Sequence, residues 1–256
     1  MIIGVSLVIY NEPYERLKLF IKELKDLLKK DKLVISIVDN YGHSYKLDGV
    51  DRYVVSNVNL GYGKGHNNNI EFLHKNNCEK ILVSNTDVSL NNANLSILFN
   101  LNKGVIIAPL VMNSDGSDQM VLRALPTIKT KIISFITKYP YVLRINQVKE
   151  PLEVPSISGC FFVIDYKKYL ALNFREVFDS RFFMYEEDTD LCRRLWQYKG
   201  VVIHPDVCIK HDYGKGSSKS LKLFLLHLKS IYIYFEKWGP FDKESVKSRK
   251  YLENLH

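Results

Sequence analysis

Short apolar runs and amphipathic stretches alternate along the first two-thirds of the chain. Residues 2–9 are mostly apolar and end at Tyr10-Asn11-Glu12-Pro13, which predicts a buried strand followed by a turn. Leu17, Phe20, Ile21, Leu24, Leu27 and Leu28 then recur at helical spacing, with lysines on the opposite face. Further strands are predicted at 33–38, 53–55 and 80–84, and a glycine- and asparagine-rich loop at 59–69 leads into a helix toward Lys75. After a strand at 105–110 the pattern loosens. A turn at 113–116 precedes residues 126–155, an apolar stretch without clear alternation that reads as a mobile or substrate-facing insertion. Order returns with a strand at 158–164, a helix through Leu191, Leu195 and Trp196, and a strand at 207–210. This rhythm predicts an α/β fold, a mostly parallel sheet flanked by helices, with no repeat or linker dividing it. In such sheets ligands bind beyond the carboxyl ends of the strands.

Composition narrows the picture without choosing a function. The chain has 256 residues, is 46% hydrophobic and 25% charged, and carries a formal charge of +8. It can therefore bury a sizeable core, and the basic surplus suggests an anionic partner. Most of that surplus lies beyond Ile209, so it marks one region and not the whole surface. Cys78, Cys160, Cys192 and Cys208 are scattered without CxxC spacing, which fits small buried residues in a reducing compartment better than a disulfide framework or zinc site. No basic leader and no apolar run of about 20 residues is evident, so a cytoplasmic protein is expected.

The polar residues at predicted strand ends are the candidates for chemistry. Asp39, followed by Asn40, can accept a hydrogen bond from the N3–H of a pyrimidine, or can simply form a turn. The run Asn59-x-Gly61-x-Gly63-x-Gly65-x-Asn67 offers close backbone approach to a phosphate before a helix, or only a flexible turn; it is neither a P-loop nor a dinucleotide fingerprint. Asn85-Thr86-Asp87 could place one carboxylate on a divalent cation. The densest feature runs from Phe182 to Arg194, where Glu186, Glu187, Asp188 and Asp190 follow an aromatic cluster. An acidic helix start is favoured by the helix dipole, but an apolar wall beside a carboxylate also raises its pKa toward that of a general base. His211 ends the strand at 207–210, and a second basic glycine-rich loop around Lys215 follows it.

These features in this order resemble the family 2 glycosyltransferases, in particular the rhamnosyltransferase-like branch that builds bacterial surface polysaccharides. The resemblance rests on Tyr10-Asn11, Asp39-Asn40, the 59–67 glycine run, Asn85-Thr86-Asp87, Ser158-Gly159, Phe182 to Arg194, and His211. It implies a GT-A fold, a nucleotide-diphosphate-sugar donor, a divalent cation (magnesium or manganese) and inversion at the anomeric carbon. By motif, Asp188 would be the catalytic base, with Gly159, Glu187 and Asp190 on the acceptor side. Tyr10, Asn11, Asp39, Asn40, Asn59, Gly61, Gly65, Asn67, Asn85, Thr86 and Lys215 would line the donor, and Asp87 and His211 would hold the metal. Two positions depart from the pattern. Asn85 replaces the first carboxylate of a DxD motif, and Glu186 stands where the branch usually has an apolar or aromatic residue. The donor suggested is dTDP-rhamnose, with UDP-galactofuranose, UDP-glucose and UDP-galactose as alternatives.

The resemblance covers residues 1–216 as a catalytic domain and leaves 217–256 as a C-terminal helical segment. Leu221 to Phe235 form an apolar helical stretch broken by Lys222, His227 and Lys229, ended by Trp238-Gly239-Pro240. It would pack on the core, pair with a second copy, or lie on an anionic membrane at the inner face of the cell, where a lipid-linked saccharide acceptor is presented. A sugar nucleotidyltransferase would need an N-terminal glycine-rich basic signature, which residues 2–13 lack. A nucleic-acid-binding protein finds no motif support, so no nucleic-acid partner is expected.

Overall fold

The structure is a computed structural model that describes residues 1–136, 142–212 and 220–255. Its first half runs β1 (Ile2–Ile9), α1 (Tyr14–Leu27), β2 (Lys32–Asp39), β3 (Arg52–Val55), α2 (Gly61–Lys75), β4 (Lys80–Ser84), β5 (Val88–Ser89), α3 (Ser96–Asn100) and β6 (Ile106–Asn113). Its second half runs α4 (Ile128–Ile136), β7 (Leu152–Glu153), β8 (Phe161–Asp165), α5 (Tyr166–Ala171), α6 (Glu187–Trp196), β9 (Val201–His211), α7 (Leu221–Trp238) and α8 (Lys243–Glu253). The sheet order is β3-β2-β1-β4-β8-β6-β9-β5, with β7 paired to β9.

β1, β2, β3 and β4 are mutually parallel, as the apolar runs predict. β8 instead lies antiparallel between β4 and β6, and only β6 with β9 resumes parallel pairing. Along β8, Phe162 and Ile164 enter one core while Phe161 and Val163 enter the core on the opposite face, the period-two alternation of a strand buried on both sides. The reversal of β8 has a functional consequence. Ser84 pairs with Phe161, so the turn preceding β8, which holds Gly159, sits at the carboxyl end of β4 beside Asn85.

Two sequence expectations are corrected. Residues 59–69 are not a loop ahead of a helix, because α2 begins at Gly61 and runs through all three glycines. The 126–155 stretch, expected as a mobile or substrate-facing insertion, holds regular structure among its described residues. It contributes α4, a 3₁₀ turn at Ile145–Gln147, and β7, whose pairing with β9 gives its backbone a sheet partner. β9 also starts at Val201, earlier than the run at 207–210 suggests. The C-terminal helices pack on the body of the fold: Tyr234 and Ile233 of α7 cover Phe182, and Leu252 of α8 joins the larger core.

Candidate active site

Parallel register brings Ile9, Asp39 and Val55 level, so Tyr10, Asn11 and Asn40 share one rim of the sheet. Asp39 is wholly buried there. Its Oδ1 accepts from the backbone N–H of Tyr41 (2.8 Å) and Gly42 (3.0 Å), and its Oδ2 from that of His43 (2.7 Å) and the Tyr53 hydroxyl (2.8 Å). Burial alone would raise its pKa, but these four donors together hold it below the usual carboxylate value. With both oxygens committed inward, Asp39 shapes the 40–43 turn, and the expected role as acceptor for a base N–H has no free lone pair in this geometry. What the turn presents outward is aromatic. Tyr10 and Tyr41 are 62% and 53% exposed and meet edge to face at 5.4 Å. Behind them His43 stacks on Tyr45 at 4.6 Å.

The glycines of the 61–65 run face protein neighbours. Gly61 has φ +78°, and a Cβ there would lie 2.0 Å from the Phe183 carbonyl oxygen. At Gly63 a Cβ would meet Phe178 at 2.8 Å, and at Gly65 it would meet Val8 at 2.7 Å. The glycines therefore let α2 press onto β1 and onto the 178–183 segment. Asn59 accepts from Gly61 N–H, and Asn40 bridges the same turn, accepting from Leu60 N–H and donating to the Gly61 carbonyl. Asn67 clamps Phe178, donating to its carbonyl at 2.7 Å and accepting from its N–H at 3.0 Å. Asn59, Gly61, Gly65 and Asn67, expected at the donor, are thus packing and turn residues, and their commitment to backbone neighbours is the reason. His66, buried within the same helix, contacts Ser6 Oγ at 2.7 Å, and burial lowers its pKa to about 3.

Asn85, Thr86, Asp87 and His211 do converge. β5 pairs with the end of β9, placing His211 opposite Val88. His211 Nε2 lies 3.3 Å from Asp87 Oδ1 and 3.4 Å from Asn85 Nδ2, while its Nδ1 is 3.1 Å from Gln119 Oε1. Burial would push this imidazole down, but Asp87 and Cys160 carry it up to about 10. Glu12, which no spacing in the sequence singles out, is partly buried beside Thr86 and Asp87, and desolvation raises its pKa. Among the described residues no group of three or more His, Cys, Asp or Glu side chains forms a metal site. The donor chemistry nevertheless suits a hard cation in part. Asp87 Oδ1 is buried without an aligned hydrogen bond, and His211 would become a ligand once deprotonated. Lys215 lies outside the described residues.

The acidic motif separates into four fates. Asp188 Oδ2 accepts from Gly159 N–H at 2.8 Å, and its Oδ1 from Thr189 N–H at 2.7 Å; burial, then the charge of Glu186, raise its pKa. Glu187 is buried with Oε2 unpartnered, and desolvation followed by Asp188 raises its pKa well above the carboxylate range. Glu186 is buried between Lys131 and His227. Asp190, expected on the acceptor side, is wholly enclosed: it accepts from Arg194 Nε (3.1 Å), Lys237 Nζ (3.0 Å) and Trp238 Nε1 (2.8 Å). That shell makes Asp190 an anchor for α7 and leaves it no acceptor contact. Gly159 lies at the hinge of the site. Its N–H faces Asp188 while the carbonyl of the next residue, Cys160, accepts from Asn85 N–H at 2.8 Å.

No family model matches the chain. It is 29% identical over 246 residues to the rhamnosyltransferase WbbL of Escherichia coli (strain K12), an alignment covering 88% of this chain and 84% of that protein. Among solved structures it resembles the mannosyltransferase PcManGT from Pyrobaculum calidifontis in complex with GDP-Man and Mn2+, with TM-score 0.54 and 12% identity over 98% of this chain and 69% of that one. It also resembles residues 1–349 of S. aureus TarS, with TM-score 0.50 and 12% identity over 92% of this chain and 72% of that one. The mixed sheet, its flanking helices and these likenesses establish the fold as that of the GT-A glycosyltransferases.

Proposed function

We propose that the chain is an inverting glycosyltransferase that moves a sugar, rhamnose from dTDP-rhamnose in the first instance, onto a hydroxyl of a saccharide acceptor. One observation carries the reading. Consecutive residues of a single turn, Gly159 and Cys160, hold the Asp188 carboxylate on one side and the Asn85-Thr86-Asp87 segment on the other. A base and an anion-handling corner are thereby set on a common backbone, the spatial requirement for in-line displacement. The 29% identity to a rhamnosyltransferase supports the choice of sugar.

In this reading Asp188, its pKa raised by burial, takes the proton of the acceptor hydroxyl as the oxygen attacks the anomeric carbon from the face opposite the nucleotide. The fixed amides of Gly159 and Thr189 keep the carboxylate aimed without reorganisation. Tyr10 and Tyr41 stack on the nucleobase. Asp87 and His211 would hold a magnesium or manganese ion, which supplies charge neutralisation for the departing diphosphate. A single base suffices for inversion, and Asp190 is sealed away from any role as nucleophile.

The acceptor is proposed to be lipid-linked, because the outer face of α7 fits an anionic membrane surface. Leu221, Leu225, Leu228 and Tyr232 are exposed and, at about 100° per residue, share one stripe opposite buried Ser230, Ile233 and Tyr234. Exposed Lys222 and Lys229 flank it with positive charge. Among the described residues no helix is long and apolar enough to cross a membrane.

The test is transfer from a panel of nucleotide sugars, with Mn2+, by wild type and by Asp188→Asn. Transfer from dTDP-rhamnose that Asp188→Asn abolishes, with donor binding retained, is the expected result. Turnover of UDP-galactofuranose or UDP-glucose in its place would replace the donor, and binding of no nucleotide sugar would refute the activity.

A further inference from the structure

Glu186 sits where three elements meet. Its Oε1 contacts Lys131 Nζ of α4 and lies 3.0 Å from His227 Nε2 of α7, while its own residue opens α6. The backbone at this point is unusual. Tyr185 and Glu186 are successive non-glycine residues with φ of 70° and 62°. Left-handed conformations are strained at such residues and persist only where the surroundings over-determine them. Here the surroundings come from α7 and from α6 itself. Ser230 Oγ donates to the Met184 carbonyl at 2.7 Å, the His227 ring packs on Tyr185 at 4.8 Å, and Asp190 N–H donates to the Glu186 carbonyl at 2.8 Å.

An apolar side chain would fill this position at lower desolvation cost than a buried ion pair, so the charge calls for an account of its own. We propose that Glu186, clamped by Lys131 and His227, is a positioning residue for the Asp188 base, coupling α4 and the C-terminal helix to the turn that aims it. The proposal rests on the reading of Asp188 as base. Burial would raise the Glu186 pKa, but Lys131 and His227 bring it down to about 2, so the side chain stays ionised throughout the working range. That fixed negative charge, two residues from Asp188, raises the pKa of the base, whereas Lys131 lowers it. Among the described residues, further titratable groups bearing on the pair include Glu187 and Cys192 of α6, Tyr62 of α2 and Tyr234 of α7.

The clamp and the charge predict opposite pH shifts for two substitutions, which a purely structural role does not. In the full chain, Glu186→Gln is expected to retain nucleoside-diphosphate affinity by calorimetry and to lower kcat by on the order of 10-fold to 100-fold through misplacement of the base. It should also move the acid limb of the kcat profile to lower pH. Lys131→Met should move that limb to higher pH, and serves as the second variant if Glu186→Gln fails to fold. An unchanged kcat in Glu186→Gln, or limbs that stay put or move together in the two variants, would overturn the proposal. If Asp188→Asn turned over normally, the base assignment itself would fail instead.

Discussion

Asp39 offers the sharpest division between a binding role and a turn-forming role. In Asp39→Asn the amide oxygen can still accept from Tyr41 and Gly42, but the NH₂ group cannot accept from His43 N–H or pair with the Tyr53 hydroxyl as the carboxylate does. One buried backbone donor is orphaned and the remaining bonds lose their charge. Hydrogen bonds to a charged group are worth about 1.5–3 kcal/mol each and an orphaned donor costs about 1–3 kcal/mol, so a net loss of about 3 kcal/mol is expected. At roughly 2–4 °C per kcal/mol for a chain of this size, Tm should fall by roughly 6–12 °C at neutral pH. The pH dependence follows in sign. Because the folded pKa of Asp39 is depressed, its stabilisation is present above the unfolded carboxylate pKa and is lost as pH falls through the folded value. The difference between wild type and variant should therefore shrink below about pH 4. Calorimetric melts at pH 7 and pH 3, with nucleotide titration on the same samples, provide the assay. A variant with wild-type Tm and lost nucleotide affinity would refute the turn role and restore base recognition.

Three further outcomes are expected. Glu187→Gln should raise Tm at pH 7–8 and have no effect at pH 3, because a carboxylate with a raised folded pKa stabilises below its unfolded value and loses that stability as pH rises; an equal difference from wild type at both values would contradict its burial as an acid with one oxygen unpartnered. Gly61→Ala should destabilise more than Gly65→Ala, since the Phe183 backbone carbonyl and a positive φ leave no relief, whereas Val8 is a side chain that can shift. The reverse order in denaturant melts would undo the packing account of the glycine run. Leu225→Glu should leave transfer to a soluble acceptor intact and abolish sedimentation with anionic vesicles; undiminished sedimentation would exclude the α7 stripe as the membrane contact, and a dimer lost in the variant by light scattering would assign the stripe to a second copy.

The convergence of Asn40, Asn85 and His211 on one rim was legible in the sequence because the signal at each is local. Apolar runs end at Asn40, Asn85 and His211, and strand ends in a parallel sheet collect on one rim. The glycine run misled for a physical reason. Glycine is unfavourable in a helix interior by about 1 kcal/mol, so composition argues for a loop, yet close approach to Phe183, Phe178 and Val8 outweighs that preference. Those neighbours lie far away along the chain, and no spacing within 59–67 announces them. The same limit governs the acidic motif. Asp188 and Asp190 stand in one helical turn and look alike as residues, but Lys237 and Trp238 surround only Asp190, while the Gly159 amide faces only Asp188. Local patterning tells which residues gather at one rim; their environments are set by long-range partners, which place Glu186 between Lys131 and His227, leave Glu187 Oε2 buried without a partner, hold Asp188 on the Gly159 amide and enclose Asp190 among Arg194, Lys237 and Trp238.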